Sequence, residues 1–462
     1  MSEKLIMTPN LKTIQIMPTY KFIDLFAGLG GFHLALEQLG CKCVFASELQ
    51  QDLRTLYESN FGMKCAGDIN LINIEKDIPS HDILCGGFPC QPFSQAGKQQ
   101  GFQDEKERGN LFNKIMEVLE FHKPEFVFLE NVPNLKSHDK GNTYRVIHEK
   151  LSMLYEVKED IISPHYFGIP QHRTRMYIVG RLKSRGGLQT FAFPKHEERP
   201  DCDISQILIP EDTDYMSLRP VTRKHMAAWQ KFLDLLSQNK STLPTFPIWA
   251  MEFGATYDYE GVAPYFQKRQ QLSGKKGKFG EDIVGNSKDD FLQLLPIYSQ
   301  GKPKTGRQFP DWKKQFIRQN RQFYQDNKSW IDAWIDEIKQ EGFENSHQKF
   351  EWNCGYEEHP TIYNKIIQFR PSGMRVKLPT YSPALVLTTT QIPIIPWLIT
   401  PNGEKGRYMT RKEGAKLQCM EELAEYPDTI ASAFKAFGNA VNVEVVKRIA
   451  INLLFDGNET NK

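Results

Sequence analysis

The stretch Lys21-Phe22-Ile23-Asp24-Leu25-Phe26, followed at once by Ala27-Gly28-Leu29-Gly30-Gly31, constrains the fold more than any other part of the chain. An apolar run of strand length breaks into closely spaced glycines and resumes with apolar residues at helical spacing, which is how a βαβ unit opens. Residues 32–39 fit the helix, with Phe32, Leu34, Ala35, Leu36 and Leu39 apolar. Cys43-Val44-Phe45-Ala46-Ser47 fits the next strand and ends at Glu48. A glycine-rich first turn in such a unit predicts a parallel, doubly wound α/β sheet. A helix over 50–60, a strand over 82–85, a helix over 111–121 and the strand Phe126-Val127-Phe128-Leu129 continue the alternation. Leu151–Tyr155 and Met176-Tyr177-Ile178-Val179-Gly180 predict two further elements.

The glycines narrow the choice of cofactor. A dinucleotide fingerprint is spaced GxGxxG, and here its third glycine falls on His33. That disfavours a pyrophosphate site and a nicotinamide oxidoreductase. A smaller ligand can still approach the backbone of this turn, and Glu48 stands where a carboxylate holds ribose hydroxyls. An adenosine-type cofactor without phosphates satisfies both observations. The simpler alternative is a turn that needs only positive φ.

Other polar residues stand at predicted strand ends. Asp68 closes Ala66-Gly67-Asp68-Ile69, and Glu130 follows the apolar run 126–129. In GGFPCQPFS, residues 86–94, Cys90 follows the strand that ends in Gly86-Gly87, while Ser94, Gln95 and Gly97 open a polar loop. A thiol placed there can attack something bound over the sheet. Cys85, inside the strand, reads as a small buried hydrophobe. Open α/β sheets bind ligands at the carboxyl edge, so Glu48, Asp68, Cys90 and Glu130 predict a shared crevice.

At 462 residues the chain has room for two or three domains. Its eight cysteines are scattered without a CxxC pair, which predicts reduced thiols in a cytoplasm and neither disulfides nor a bound metal. No apolar run is long enough to span a bilayer, and MSEKLIMTPN has no signal-peptide core, so a cytoplasmic protein is expected. A net charge of +2 leaves nucleic-acid binding to the local distribution of charge.

Taken in order, the motifs resemble those of C5-cytosine DNA methyltransferases of the restriction-modification type. They are FIDLFAGLGG at 22–31, Glu48, GDI at 67–69, GGFPCQPFS at 86–94, ENV at 130–132, QHRTR at 171–175, RKEGAKLQ at 411–418 and GNAV at 438–441. The resemblance covers roughly residues 20–182 and 370–455. It implies a Rossmann-like, S-adenosyl-methionine-dependent methyltransferase sheet with a second, smaller target-recognition domain. The expected divisions are a catalytic and cofactor-binding domain over 18–185, a target-recognition domain with a helical insert over 186–370, and a return segment over 371–462 that completes the catalytic domain.

The resemblance also implies roles. Cys90 adds to C6 of cytosine, Glu130 donates to N3, and Arg173 and Arg175 hold the cytosine edge and fix Cys90 and Glu130. For the cofactor, whose product is S-adenosyl-homocysteine, Phe26 stacks on adenine, and Ala27, Gly28, Leu29 and Gly30 line the methionine end. Glu48 binds ribose, Asp68 and Ile69 face the adenine, and Pro89, Leu111, Asn439 and Val441 complete the pocket. Leu49 stands where many relatives have an aromatic. The loop from Ser94 to Asn110, with Gly97, Gly101 and Gly109 as hinges, closes over a base rotated out of double-stranded DNA. The expected partners are that DNA and, only genetically, a cognate restriction endonuclease; no membrane is involved and the chain acts as a monomer.

Between about 185 and 370 the alternation is lost. Lys302, Lys304, Arg307, Lys313, Lys314, Arg318, Arg321 and Lys328 are opposed within 301–328 only by Asp311 and Asp326, with aromatics interleaved. Such a mixture suits DNA phosphates, and Ser94 and Gln95 are also candidates for DNA contact; a solvated helix face is the alternative. Trp330, Ile331, Trp334, Ile335 and Ile338 repeat at helical spacing and predict core. Val445, Val446, Ile449, Ala450 and Leu453 predict a helix that packs back on the first sheet. A tRNA methyltransferase and a catalytically silent DNA-binding regulator are the rival functions; silent relatives lose the cysteine, the cofactor turn or the ENV acid, all present here.

Overall fold

The computed structural model describes residues 19–88, 104–195, 201–304, 306–343, 345–385 and 391–455, the side chains of 104–110 and 341 excepted. The first sheet is built from β1 (Lys21–Leu25), β2 (Lys42–Ser47), β3 (Ile83–Gly87), β4 (Phe126–Asn131), β5 (Tyr155–Ile162) and β7 (Arg175–Leu182), with the two-residue β6 (Gln171–His172) outside it. Its order is β2-β1-β3-β4-β7-β5. Neighbours from β2 to β4 are parallel, as expected, but β7 runs antiparallel to both β4 and β5. The Asn142–Leu151 helix carries the chain over to β5, one strand position beyond a gap. No α-helix lies between β5 and β7, so the chain turns back and fills that gap from the opposite direction.

Alternate strand residues serve two cores, as the pleat requires. Phe22, Cys85, Phe128 and Val179 face the side covered by the Gly31–Glu37 and Val443–Phe455 helices. Ile23, Leu84, Val127 and Ile178 face the Asp104–His122 and Asn142–Leu151 helices. Gly109, expected as a loop hinge, lies within the Asp104–His122 helix, whereas Gly97 and Gly101 lie outside the described residues.

The second sheet contains β8 (Ile248–Trp249), β9 (Lys349–Asn353), β10 (Ile366–Arg370), β11 (Gly373–Lys377), β13 (Ile394–Ile399) and β14 (Lys405–Tyr408), in the order β14-β13-β10-β11-β9-β8. β12 (Ser382–Pro383) pairs instead with β6. The boundary expected at 370 therefore falls inside a hairpin, where Arg370 pairs with Gly373. Pro371-Ser372 is its tip, and Gly373 has φ +129 with no room for a Cβ, which would lie 2.7 Å from that of Lys349. The chain returns to the first sheet only with the helices Arg411–Leu417, Ile430–Asn439 and Val443–Phe455. Val445, Val446, Ile449, Ala450 and Leu453 are all buried there.

The Pro220–Gln238 and Asp311–Glu341 helices pack beside the second sheet. Trp330, Ile331, Trp334, Ile335 and Ile338 are buried, and Trp334 donates its indole N–H to the Ala228 carbonyl at 2.9 Å. Among the described residues no helix is long and apolar enough to cross a membrane.

Candidate active site

A cavity of about 640 Å³ opens at the carboxyl edge of the first sheet, within the size range of ligand sites. Its walls come from the turn after β1, the ends of β2, β3 and β4, the arginines beside β6, and residues 438–441. Phe26 adopts φ +59, a conformation unfavourable for a bulky residue, and its ring lines the cavity. Strain of this kind is held only where the surroundings over-determine it. Ala27 and Gly28 also line the cavity, and a Cβ on Gly28 would meet nothing within 4 Å.

Glu48 closes the far side of this turn. Its Oε2 accepts from the Gly28 amide at 3.0 Å and its Oε1 from the Gln50 amide at 2.8 Å. A carboxylate offers about four acceptor positions, so about two remain for hydroxyl donors in the cavity, as a ribose requires. Asp68 Oδ1 accepts from the Asn70 amide at 2.9 Å and caps a short turn that begins with the buried Ile69. Ala66 forms only an isolated bridge with Ser47, so Asp68 follows a bridge and not the strand its neighbours suggest. Leu49, Asp68, Ile69, Leu111, Asn439 and Val441 all line the cavity. Leu49 is 69% exposed at the rim. The donor set and the open glycine backbone fit an adenosine cofactor.

Two expected cofactor residues face elsewhere. The Leu29 side chain is buried in the apolar core, and Gly30 backs onto the Phe61 ring at φ +81, leaving no space for a Cβ. Neither is among the residues that line the cavity. His33 explains the missing third glycine. Its ring stacks on Phe61 at 3.9 Å and contacts Tyr57 Oη through Nδ1 at 2.6 Å, while burial lowers its pKa to about 4 and keeps it neutral.

The cavity is also lined by Glu130 on β4, 6% exposed. Its Oε1 lies 2.9 Å from Arg175 Nε, an ion-pair contact without hydrogen-bond alignment. Burial raises the Glu130 pKa, and the charges of Arg175 and Arg173 oppose the rise. Gly87 lies beside it: a Cβ there would make only ordinary contact, at 3.5 Å, with Glu130 Oε2. Arg173 is fully buried; its Nη2 donates to the Ala440 carbonyl at 2.8 Å, and its backbone amide donates to Ser163 Oγ at 2.9 Å. Its Nε and Nη1 have no partner among the described residues, and burial pulls its pKa down to about 9. Arg173 lines the cavity, and those two buried donors keep unspent capacity for an oxygen acceptor.

Asn131 donates from Nδ2 to the Phe88 carbonyl at 2.9 Å, fixing the chain as it leaves β3. Cys90, Pro89, Ser94 and Gln95 lie outside the described residues. Arg54, Ser163 and Ala440 support the site and were not singled out in the sequence. Arg54 Nη1 donates to the carbonyls of Glu48 and Leu49 at 3.0 and 2.9 Å. The only signal for Arg54 is its place one helical turn beyond Gln50.

The basic run divides by helical phase. Lys302, Lys304 and Arg307 are exposed, and Arg318 is an exposed partner of Glu260 at 2.8 Å. Lys314 lies 3.8 Å from Asp311. Arg321 differs from expectation, because it turns inward to Glu252 at 2.9 Å and donates to the Tyr257 carbonyl. Lys313 is also half-buried, with its ammonium 4.6 Å from the Phe309 ring centre and 5.0 Å from that of Tyr298. Both share a helix face with the buried Ile317 and Tyr324.

A Rossmann-like sheet, a glycine turn clasped by a ribose-type carboxylate, and an acid beside two arginines define an S-adenosyl-methionine-dependent methyltransferase. A model of the family described as C-5 cytosine-specific DNA methylase matches residues 20–454, and the chain belongs to that family. It is accordingly a DNA (cytosine-5)-methyltransferase. The Type II methyltransferase M.HaeII of Haemophilus aegyptius is 43% identical over 254 residues, covering 53% of this chain and 77% of that protein. M.HhaI of Haemophilus parahaemolyticus is 46% identical over 192 residues, 41% of this chain and 57% of that protein, so little more than half of that relative is matched. M.AluI of Cellulosimicrobium cellulans is 28% identical over 489 aligned positions, covering 93% of this chain and 91% of that protein.

Proposed function

We propose that this chain methylates C5 of cytosine at a specific sequence in double-stranded DNA through a covalent adduct with Cys90, and that the modification protects host DNA from a cognate restriction endonuclease. The observation that carries this reading is the placement of Glu130, Arg173 and Arg175 on the wall of the cavity that Phe26, Glu48 and Asp68 enter from the other end. Gly87 and Phe88 bring β3 into the same cavity, two residues before Cys90.

Carbon 5 of cytosine is too weak a nucleophile to be methylated unaided. When the Cys90 thiolate bonds to C6, the C5–C6 electron pair is released toward C5 and N3. Glu130, whose pKa its burial raises, donates in its protonated form to N3 and stabilises that charge. Arg173 and Arg175 hold the polar edge of the ring, work that a planar guanidinium does better than an ammonium. S-adenosyl-methionine, when bound, supplies the methyl group that C5 takes up. Loss of the C5 proton then restores the double bond and expels Cys90.

Phe26 and Ile69 pack on the cofactor's adenine, Glu48 holds its ribose, and Asn439 and Val441 close the pocket. A cytosine stacked in a duplex cannot enter a cavity of this shape, so the base rotates out of the helix, at a cost of roughly a few kcal/mol. The test is expression in a methylation-free host followed by bisulfite sequencing of the DNA. One cytosine in a recurrent sequence context resists conversion if the reading holds; uniform conversion overturns it.

A further inference from the structure

Outside the cavity, β9, β10 and β11 line up side chains on one face of the second sheet. Arg375 pairs across the sheet with both Gln368 and Glu351, which brings Arg370, Arg375, Lys377 and Glu351 together. Arg370 Nη2 donates to both oxygens of Glu351 at 2.7 and 2.8 Å, and Arg375 Nε donates to Oε2 at 3.0 Å. One carboxylate therefore serves two guanidinium groups. Lys377 has no ion-pair partner among the described residues; its ammonium stands 5.0 Å from the Tyr381 ring centre. Burial, together with the charges of Arg375 and Arg370, lowers its pKa to about 8. Half-buried positive charge in excess of its acid is costly unless an anion completes it.

The position of this face indicates which anion. Tyr381 stacks near His172 at 5.8 Å, and His172 directly precedes Arg173 in the chain. The pairing of β12 with β6 fixes that junction, and the charge of Lys377 reaches His172, where it helps lower the imidazole's pKa. Tyr381 and His172 thus lead from Lys377 to the residue before Arg173, which lines the cavity. Arg370 and Arg375 are 18% and 30% exposed at their side chains, enough to be reached from one side while held from the other.

We propose that Arg370, Arg375 and Lys377 hold the phosphodiester backbone of duplex DNA beside the target nucleotide, with Glu351 as the positioning residue for the two arginines. This rests on the reading of the cavity as a site for a cytosine in DNA. Phosphate contacts of this kind set register and affinity and carry no sequence information directly. Two of the expected contacts on the Asp311–Glu341 helix, Lys313 and Arg321, turn inward instead.

The experiment measures duplex affinity of the full chain against salt for the wild type and for Lys377→Gln, Lys377→Arg and Arg375→Gln, with S-adenosyl-methionine affinity measured in parallel. Loss of one phosphate contact reduces the magnitude of the negative slope of log K against log salt by about 0.9. That drop is expected for Lys377→Gln and Arg375→Gln, with recovery in Lys377→Arg and unchanged cofactor affinity. Glu351→Gln, which loosens the arginines, is expected to raise KM for DNA with little change in kcat. Wild-type slopes in both glutamine variants, with duplex binding retained, overturn the proposal while leaving the methyltransferase reading intact. A wild type that binds tRNA in preference to duplex, or methylates no DNA, overturns both.

Discussion

Arg173 donates from Nη2 to the carbonyl of Ala440 at 2.8 Å, a hydrogen bond that joins residues 267 positions apart. A buried guanidinium thereby takes its orientation from the last part of the chain. The same segment supplies Val441, whose Cγ2 would lie 2.6 Å from a Cβ on Gly31 at the cofactor turn. Both ends of the cavity thus depend on the return segment. A chain ending after Thr400 is expected to lose S-adenosyl-methionine binding as well as DNA binding, measured by calorimetry. Unchanged cofactor affinity in a folded truncated protein would contradict this dependence.

Two glycines of one turn predict different outcomes. Gly31→Ala drives a methyl group into Val441 and Met420 and is expected to destabilise by about 1–3 kcal/mol, seen as a lower Tm. Gly28→Ala meets nothing in the fold, but its φ of +56 costs roughly 1–2 kcal/mol and its methyl group enters the cofactor space. Its larger effect should fall on cofactor affinity. Equal Tm and affinity losses in both variants would refute the distinction.

Glu130→Gln keeps a polar group beside Arg175 but cannot protonate N3. Single-turnover methylation should fall by roughly 10²–10⁴ while cofactor binding is retained. A loss below tenfold would remove the acid role.

Asp24 predicts a pH dependence of stability. Burial pushes its carboxyl up to about 8, with the His33 backbone amide opposing and Glu48 adding to the rise. Above about pH 4 the unfolded chain releases this proton while the folded chain keeps it, so the folded state loses stability as pH rises. The loss ends near pH 8, where both states are ionised. Its slope is at most about 1.4 kcal/mol per pH unit. Denaturant unfolding of Asp24→Asn between these limits should show a shallower fall than wild type; parallel curves would contradict it.

The periodicity of residues 21–131 made the order of strands and helices readable, because a sheet covered on both faces demands near-continuous apolar strands. Strand direction leaves no such imprint, so the antiparallel β7 could not be read from Met176–Gly180. The expected division at 370 could not show that Pro371 and Ser372 form a hairpin tip; only the pairing of Arg370 with Gly373 reveals it. The motifs located Glu48 and Glu130 at the cavity because strand ends converge on one edge, and Asp68 reaches it from a bridge beside β2. They could not say that Leu29 turns into the core or that Arg173 is held by Ala440. Counting cations over 301–328 ignored helical phase, which is what sends Arg321 to Glu252.

The most direct test uses a duplex with 5-fluorocytosine at the cytosine mapped by bisulfite sequencing, incubated with protein and S-adenosyl-methionine and run on a denaturing gel. Fluorine at C5 cannot leave as a proton does, so the sulfur–carbon bond cannot be released. The account predicts a protein–DNA band that survives denaturation in the wild type and is absent in Cys90→Ser. A wild type that methylates ordinary duplex yet forms no such band would contradict attack by Cys90.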